Sequence, residues 1–189
     1  VTEKLEFHVS GRRSINDFFD TPTYSNYFSR TFQDSEIDMN SDDERMEKSD
    51  FSYYDTGFKA LYDVNEAHKL RFSFIRVNND LEYAEFSNVS EETRRSGLGQ
   101  NNLALGGTCE ANWSNGFLTK AVSYLTHYRL NAVNHSVDTD QRLLQENEVL
   151  ETGIKLNTIS TLTPRIDLLS GYHFYEVGGS NIENSTGLE

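Results

Sequence analysis

The stretch Asn102-Leu103-Ala104-Leu105-Gly106-Gly107-Thr108-Cys109-Glu110-Ala111-Asn112-Trp113 decides how the whole chain is read. Leu103, Leu105, Gly107, Cys109, Ala111 and Trp113 fall on one side of a two-residue period. Asn102, Ala104, Gly106, Thr108, Glu110 and Asn112 fall on the other. Successive side chains of a strand point to opposite faces, so this run predicts a strand with one apolar and one polar face.

The same rhythm recurs on both sides of it. Downstream, Leu118, Val122, Tyr124, Tyr128 and Leu130 oppose Thr119, Ser123, His127, Arg129 and Asn131. Leu150, Ile154 and Leu156 then oppose Glu151, Gly153, Lys155 and Asn157, and Ile166, Leu168, Tyr172 and Phe174 oppose Arg165, Asp167, Gly171 and His173. Upstream, Leu5, Phe7 and Val9 alternate with Lys4, Glu6, His8 and Ser10. Tyr54, Phe58, Ala60 and Tyr62 alternate with Asp55, Gly57, Lys59 and Asp63, and Leu70, Phe72 and Phe74 with Lys69, Arg71 and Ser73. Helical spacing accounts for none of these runs. They predict an all-β, antiparallel chain of about seven strands, longer than the usual five or six residues and suited to crossing a bilayer at a tilt.

The connections alternate in length. Asn65 to His68, Ser114 to Gly116 and Ser160 to Pro164 are short; about Arg13 to Asp50, Asn79 to Gly99 and Val133 to Asn147 are long. Short turns on one rim and long loops on the other are the pattern of an outer-membrane β-barrel, with the short turns periplasmic and the long loops extracellular. Trp113 and Phe117 beside a short turn, and Tyr53, Tyr54, Tyr128, Phe174 and Tyr175 near the opposite strand ends, suit two aromatic girdles. Lys120 and Arg76 fall on the face read as lipid-facing, each near a strand end where a long side chain can snorkel.

Composition conceals this. Hydrophobic residues make up 36% of 189 residues, mean hydropathy is -0.64, and no apolar run approaches the length of a transmembrane helix. Barrel strands need apolar residues only at alternate positions, so hydropathy averages miss them. The net charge of -13 argues against nucleic acid, whose phosphates require clustered Lys and Arg. Acidic residues concentrate between the first two strands at Asp34, Glu36, Asp38, Asp42, Asp43, Glu44, Glu47 and Asp50, as in a solvated loop. Cys109 alone allows no disulfide within the chain.

Metal and catalytic chemistry find little footing. Asp38, Asn40 and Asp42 have calcium-loop spacing, but Asp43 occupies the glycine position and Ser49 the place of the bidentate Glu. The five histidines are scattered. His127 and His173 are expected to face the lumen with Asp167 and Glu151, without an evident nucleophile. The expectation is therefore no enzyme activity, no cofactor and no metal site.

Leu5 to Phe19 and the aromatic stretch Tyr24, Tyr27 and Phe28 resemble the barrel of TonB-dependent outer-membrane receptors, especially those of Bacteroidota. So do Asp55 to Lys59, Lys69 to Phe74 and Glu151 to Leu156, with Ser10 to Ser14 the most specific part. The resemblance covers nearly the whole chain as texture, through degenerate motifs.

It implies a partial barrel over residues 1–189 of a 22-stranded transporter in the outer membrane of a Gram-negative bacterium. Plug domain and remaining strands are expected elsewhere in the native protein. Cargo in such receptors is a large nutrient: a siderophore or other iron chelate, cobalamin, a glycan or a peptide. The implied partners are outer-membrane lipid, the plug, the missing strands, TonB through a missing N-terminal part, and a surface lipoprotein. Arg12, Lys59, Arg71, Glu110, Arg129, Glu151, Lys155, Arg165 and Asp167 are expected to face lumen and plug, and Tyr24, Tyr27 and Phe28 to meet cargo. Competing expectations are a soluble β-sandwich binding or adhesion module, which calls for shorter strands, and a small complete outer-membrane barrel, which calls for an eighth strand.

Overall fold

A computed structural model describes residues 4–15, 46–86, 93–114, 116–135 and 141–186. The alternating runs fold as seven antiparallel strands: β1 (Leu5–Arg13), β2 (Met46–Asp63), β3 (His68–Phe86), β4 (Thr93–Ser114), β5 (Phe117–His135), β6 (Arg142–Thr163) and β7 (Ile166–Thr186). They form one sheet in chain order, each strand beside its sequence neighbours. The sheet is open. β1 and β7 each pair on one side only, and every residue of β7 is exposed.

From β2 onward the strands run 18 to 22 residues. Two of the expected long loops are mostly ladder: β3 continues to Phe86 and β4 begins at Thr93, while β5 reaches His135 and β6 begins at Arg142. Polar residues pair there because the ladder is made by backbone N–H and C=O groups, whatever the side chains. Much of the acidic segment, including Asp34, Glu36, Asp38, Asn40, Asp42 and Asp43, lies outside the described residues, as do Tyr24, Tyr27 and Phe28.

Directly opposed residues of antiparallel strands share a face, so the register defines two surfaces. On the first, Tyr62, Leu70, Cys109, Ala121, Leu156 and Tyr172 form one row across β2 to β7. Phe7, Ala60, Phe72, Gly107, Ser123, Ile154 and Phe174 form the next, and Val9, Phe58, Phe74, Leu105 and Leu125 the one after that. This band face exposes large apolar side chains, with Val9, Ile154 and Tyr172 at 81%, 54% and 62%.

One strand departs from the sequence reading. Leu118, Val122, Tyr124, Tyr128 and Leu130 of β5 lie on the polar face, and the band passes through Ala121, Ser123 and Leu125 instead. The cause is a bulge. Ser114 pairs with Phe117 but Asn112 pairs with Leu118, leaving Trp113 as an extra residue in β4. One added residue inverts the face of everything paired beyond it. Lys120 thereby leaves the band and ion-pairs with Glu110 on the polar face, at 2.6 Å.

The aromatic expectations divide similarly. Trp113 meets His68 edge-on at 5.4 Å between ring centroids and donates its Nε1–H to Thr119 Oγ1 at 2.8 Å. Phe117 and Tyr54 also border the band, at opposite limits, whereas Tyr53, Tyr128 and Tyr175 occupy the polar face and Phe174 stands inside the band.

Candidate functional site

The polar face gathers most of the charged residues singled out from the sequence. Arg12, Lys59, Arg71, Glu110, Glu151, Lys155 and Asp167 all lie on it, drawn from six different strands. Two do not. Arg165 occupies the β6–β7 turn, and Arg129 stands on the band face because the Trp113 bulge reverses β5. His127 is reversed with it, away from His173, Glu151 and Asp167.

The charges on this face are matched across strands. Arg12 Nη2 lies 2.8 Å from Asp55 Oδ2, whose side chain is only 7% exposed. Arg71 pairs with Asp63. Glu110 stands opposite Lys69 on one side and Lys120 on the other. Opposed pairs of opposite charge stabilise a sheet modestly while keeping its surface hydrated. Tyr124 donates its hydroxyl to Glu151 Oε1 at 2.8 Å, and Lys155 Nζ lies 5.6 Å from the Tyr124 ring centroid.

Toward the end of the sheet away from the short turns, the polar face turns apolar. Phe51, Leu81, Tyr83, Leu98 and Ala132 form a buried cluster, with Tyr53 and Leu130 packed against it. Its polar border is bonded: Tyr83 Oη and Ser96 Oγ both donate to Asn134 Oδ1, at 3.1 and 3.3 Å, and His135 N–H donates to Ser96 Oγ at 2.9 Å. The sequence reading assigned Leu81, Tyr83, Ser96 and Leu98 to a loop. Leu81 and Tyr83, alternating with Asp80 and Glu82, carried a two-residue signal that was too short to stand alone.

On the band face, His127 Nε2 and Arg129 Nη2 converge on Glu148 Oε1 at 2.6 and 3.0 Å. That carboxylate oxygen already has two partners, one of them the Arg129 guanidinium. Among the described residues no group of three or more His, Cys, Asp or Glu could hold a metal ion. Cys109 is exposed within the band. The arrangement as a whole offers one broad face that carries the charge pairs and ends in a buried apolar cluster, though it also exposes Ile75, Leu118, Val149, Ile159, Leu169 and Val177, and on the other side lies the apolar band.

No protein-family model matches the chain. No curated protein and no solved structure matches it either.

Proposed function

We propose that this chain is a wall segment of a TonB-dependent outer-membrane transporter that takes up a large nutrient. The observation that carries the membrane part is the exposed apolar band, continuous in register through all seven strands and backed by a charged face. A soluble sheet buries its apolar face against a second layer; among the described residues there is one sheet and no second layer. Lipid is the solvent such a face requires.

Strand length favours the same reading. Strands of 18 to 22 residues exceed the nine to eleven or so needed to cross a bilayer, so they extend beyond it as paired ribbon. A β-sandwich is favoured by shorter strands. The two unpaired edges need partner strands, since unpaired backbone groups in hydrocarbon are costly. The transport part rests on the resemblance to TonB-dependent receptors, with the polar face toward lumen and plug and the Phe51–Leu81–Leu98 cluster toward the cargo side.

The test is the intact mass of the native protein recovered from its source cells. Extraction that requires detergent, with a mass several times the 21.7 kDa of this chain, is expected. Recovery without detergent, or a mass near 21.7 kDa, overturns the large-receptor reading.

A further inference from the structure

The band face holds a groove of about 400 Å³. Small residues floor it where the band crosses β4 and β5: Gly107, Cys109, Ala121 and Ser123, with Phe72 and Ile154 among its walls. Four residues along β5 from Ser123 stands His127, in the same row as Arg76, and the next row holds Arg129 and Glu148. Arg76 is exposed, and its Nε–H donates to the neutral Asn78 Oδ1 at 3.1 Å, a contact that leaves its charge uncancelled. Glu148 is one carboxylate facing both His127 and Arg129. Across β3 to β6, Arg76, Arg129 and Glu148 therefore sum to a net positive charge at the border of the apolar rows, while Glu176 stands on β7, one row nearer the groove and two strands from Arg129.

Farther from the short turns the sign reverses. Asp80 and Glu146 share the next row, and Asp50 and Glu82 the one beyond it. An anion is thus attracted at the Arg76–Arg129 level and repelled outside it, which fixes its depth. From that level to the groove is four to six residues, about 13–20 Å along a strand. At the usual barrel tilt this is about 10–15 Å of depth, comparable with one leaflet of a hydrocarbon core about 30 Å thick.

We infer that the band face binds one phospholipid of net negative charge in preference to a zwitterionic one, its phosphate held by Arg76 and Arg129 and an acyl chain laid in the groove over Gly107 and Ser123. The inference rests on the membrane reading above and adds to it a defined lipid site. Apolar area supplies attraction along the chain, and the guanidinium groups supply charge-assisted hydrogen bonds at its head.

The test uses the native protein extracted with neutral detergent, stripped of lipid and mixed with phosphatidylglycerol or phosphatidylcholine before native mass spectrometry. Wild type is expected to retain the anionic lipid preferentially. Arg76→Gln with Arg129→Gln is expected to lower that retention by about tenfold or more, since both guanidinium contacts to the phosphate are lost. Gly107→Leu probes the groove independently. A Cβ there meets nothing closer than Ser123 Oγ at 3.6 Å, an ordinary contact, so the backbone at this position takes a side chain that stands on the groove floor. Reduced retention in both variants supports the site; equal retention of the two lipids, or retention unchanged in either variant, overturns it. A protein recovered without detergent fails at the first step, which overturns the membrane reading and this inference with it.

Discussion

The Tyr124 ring lies across Gly153 of the neighbouring strand, so close that a Cβ at position 153 would meet Tyr124 Oη at 2.6 Å and overlap two ring carbons. The glycine provides the space and the ring covers the backbone it leaves bare, an arrangement that pins the register of β5 against β6. Gly153→Ala is expected to destabilise the folded protein by about 1–3 kcal/mol, as overpacking does. Adding Tyr124→Ala should recover part of that loss, because contacting residues are not additive. Urea unfolding of the two single variants and the double variant measures the coupling. Purely additive effects would dissociate the pair.

The facing of β5 can be read by cysteine chemistry on a Cys109→Ala background. Ala121→Cys and Leu125→Cys share the band face, so in the membrane they are expected to react with a lipid-soluble maleimide and resist a water-soluble one. Val122→Cys and Thr126→Cys should show the opposite preference. The reversed pattern would mean that the Trp113 bulge does not set the register. Deleting Trp113 should be far more damaging than Trp113→Ala, because deletion inverts every β5 side chain while truncation removes one ring and its hydrogen bond to Thr119.

A cation placed in the band should separate the two faces energetically. Phe72→Arg puts a charge at the centre of the apolar rows and is expected to cost about 2–4 kcal/mol in a bilayer, whereas Ser73→Arg, one residue away on the polar face, should cost almost nothing. Reversible folding into lipid vesicles compares them. Equal costs would argue that the band meets water or protein rather than lipid.

The Arg12–Asp55 pair is the charge contact of the polar face whose carboxylate is most deeply buried among the pairs described above. Arg12→Gln leaves the buried Asp55 side chain, 7% exposed, without its cation and is expected to cost about 1–3 kcal/mol. Lys59→Gln, at an exposed position on the same face, is expected to stay within about 0.5 kcal/mol. Chemical unfolding of both variants checks the contrast, which vanishes if the pair is only a surface contact.

Strand identity was legible in the chain because alternation is a local property. Leu70, Phe72 and Phe74 against Lys69, Arg71 and Ser73 needs no partner to be read, and it placed the band correctly in six of the seven strands. β5 resisted because its bulkier apolar residues occupy the polar face, where Tyr124 fills the space over Gly153 and Leu130 packs on the buried cluster. The extensions of β3 and β4 through Leu81 and Leu98 were read as loop because their ladders depend on backbone pairing across the hairpin, which leaves little periodicity in either segment alone.

The sequence by itself determined an all-β chain, its strand number and the existence of an apolar and a polar face, since each follows from spacing within a single segment. Only the tertiary structure decided which residues share those faces: it moved Lys120 beside Glu110, moved Arg129 and His127 onto the apolar side, and assembled the Phe51–Leu81–Leu98 cluster. The physical reason is that facing depends on register, and register is set between strands, where one extra residue at Trp113 reverses what counting along a strand can establish.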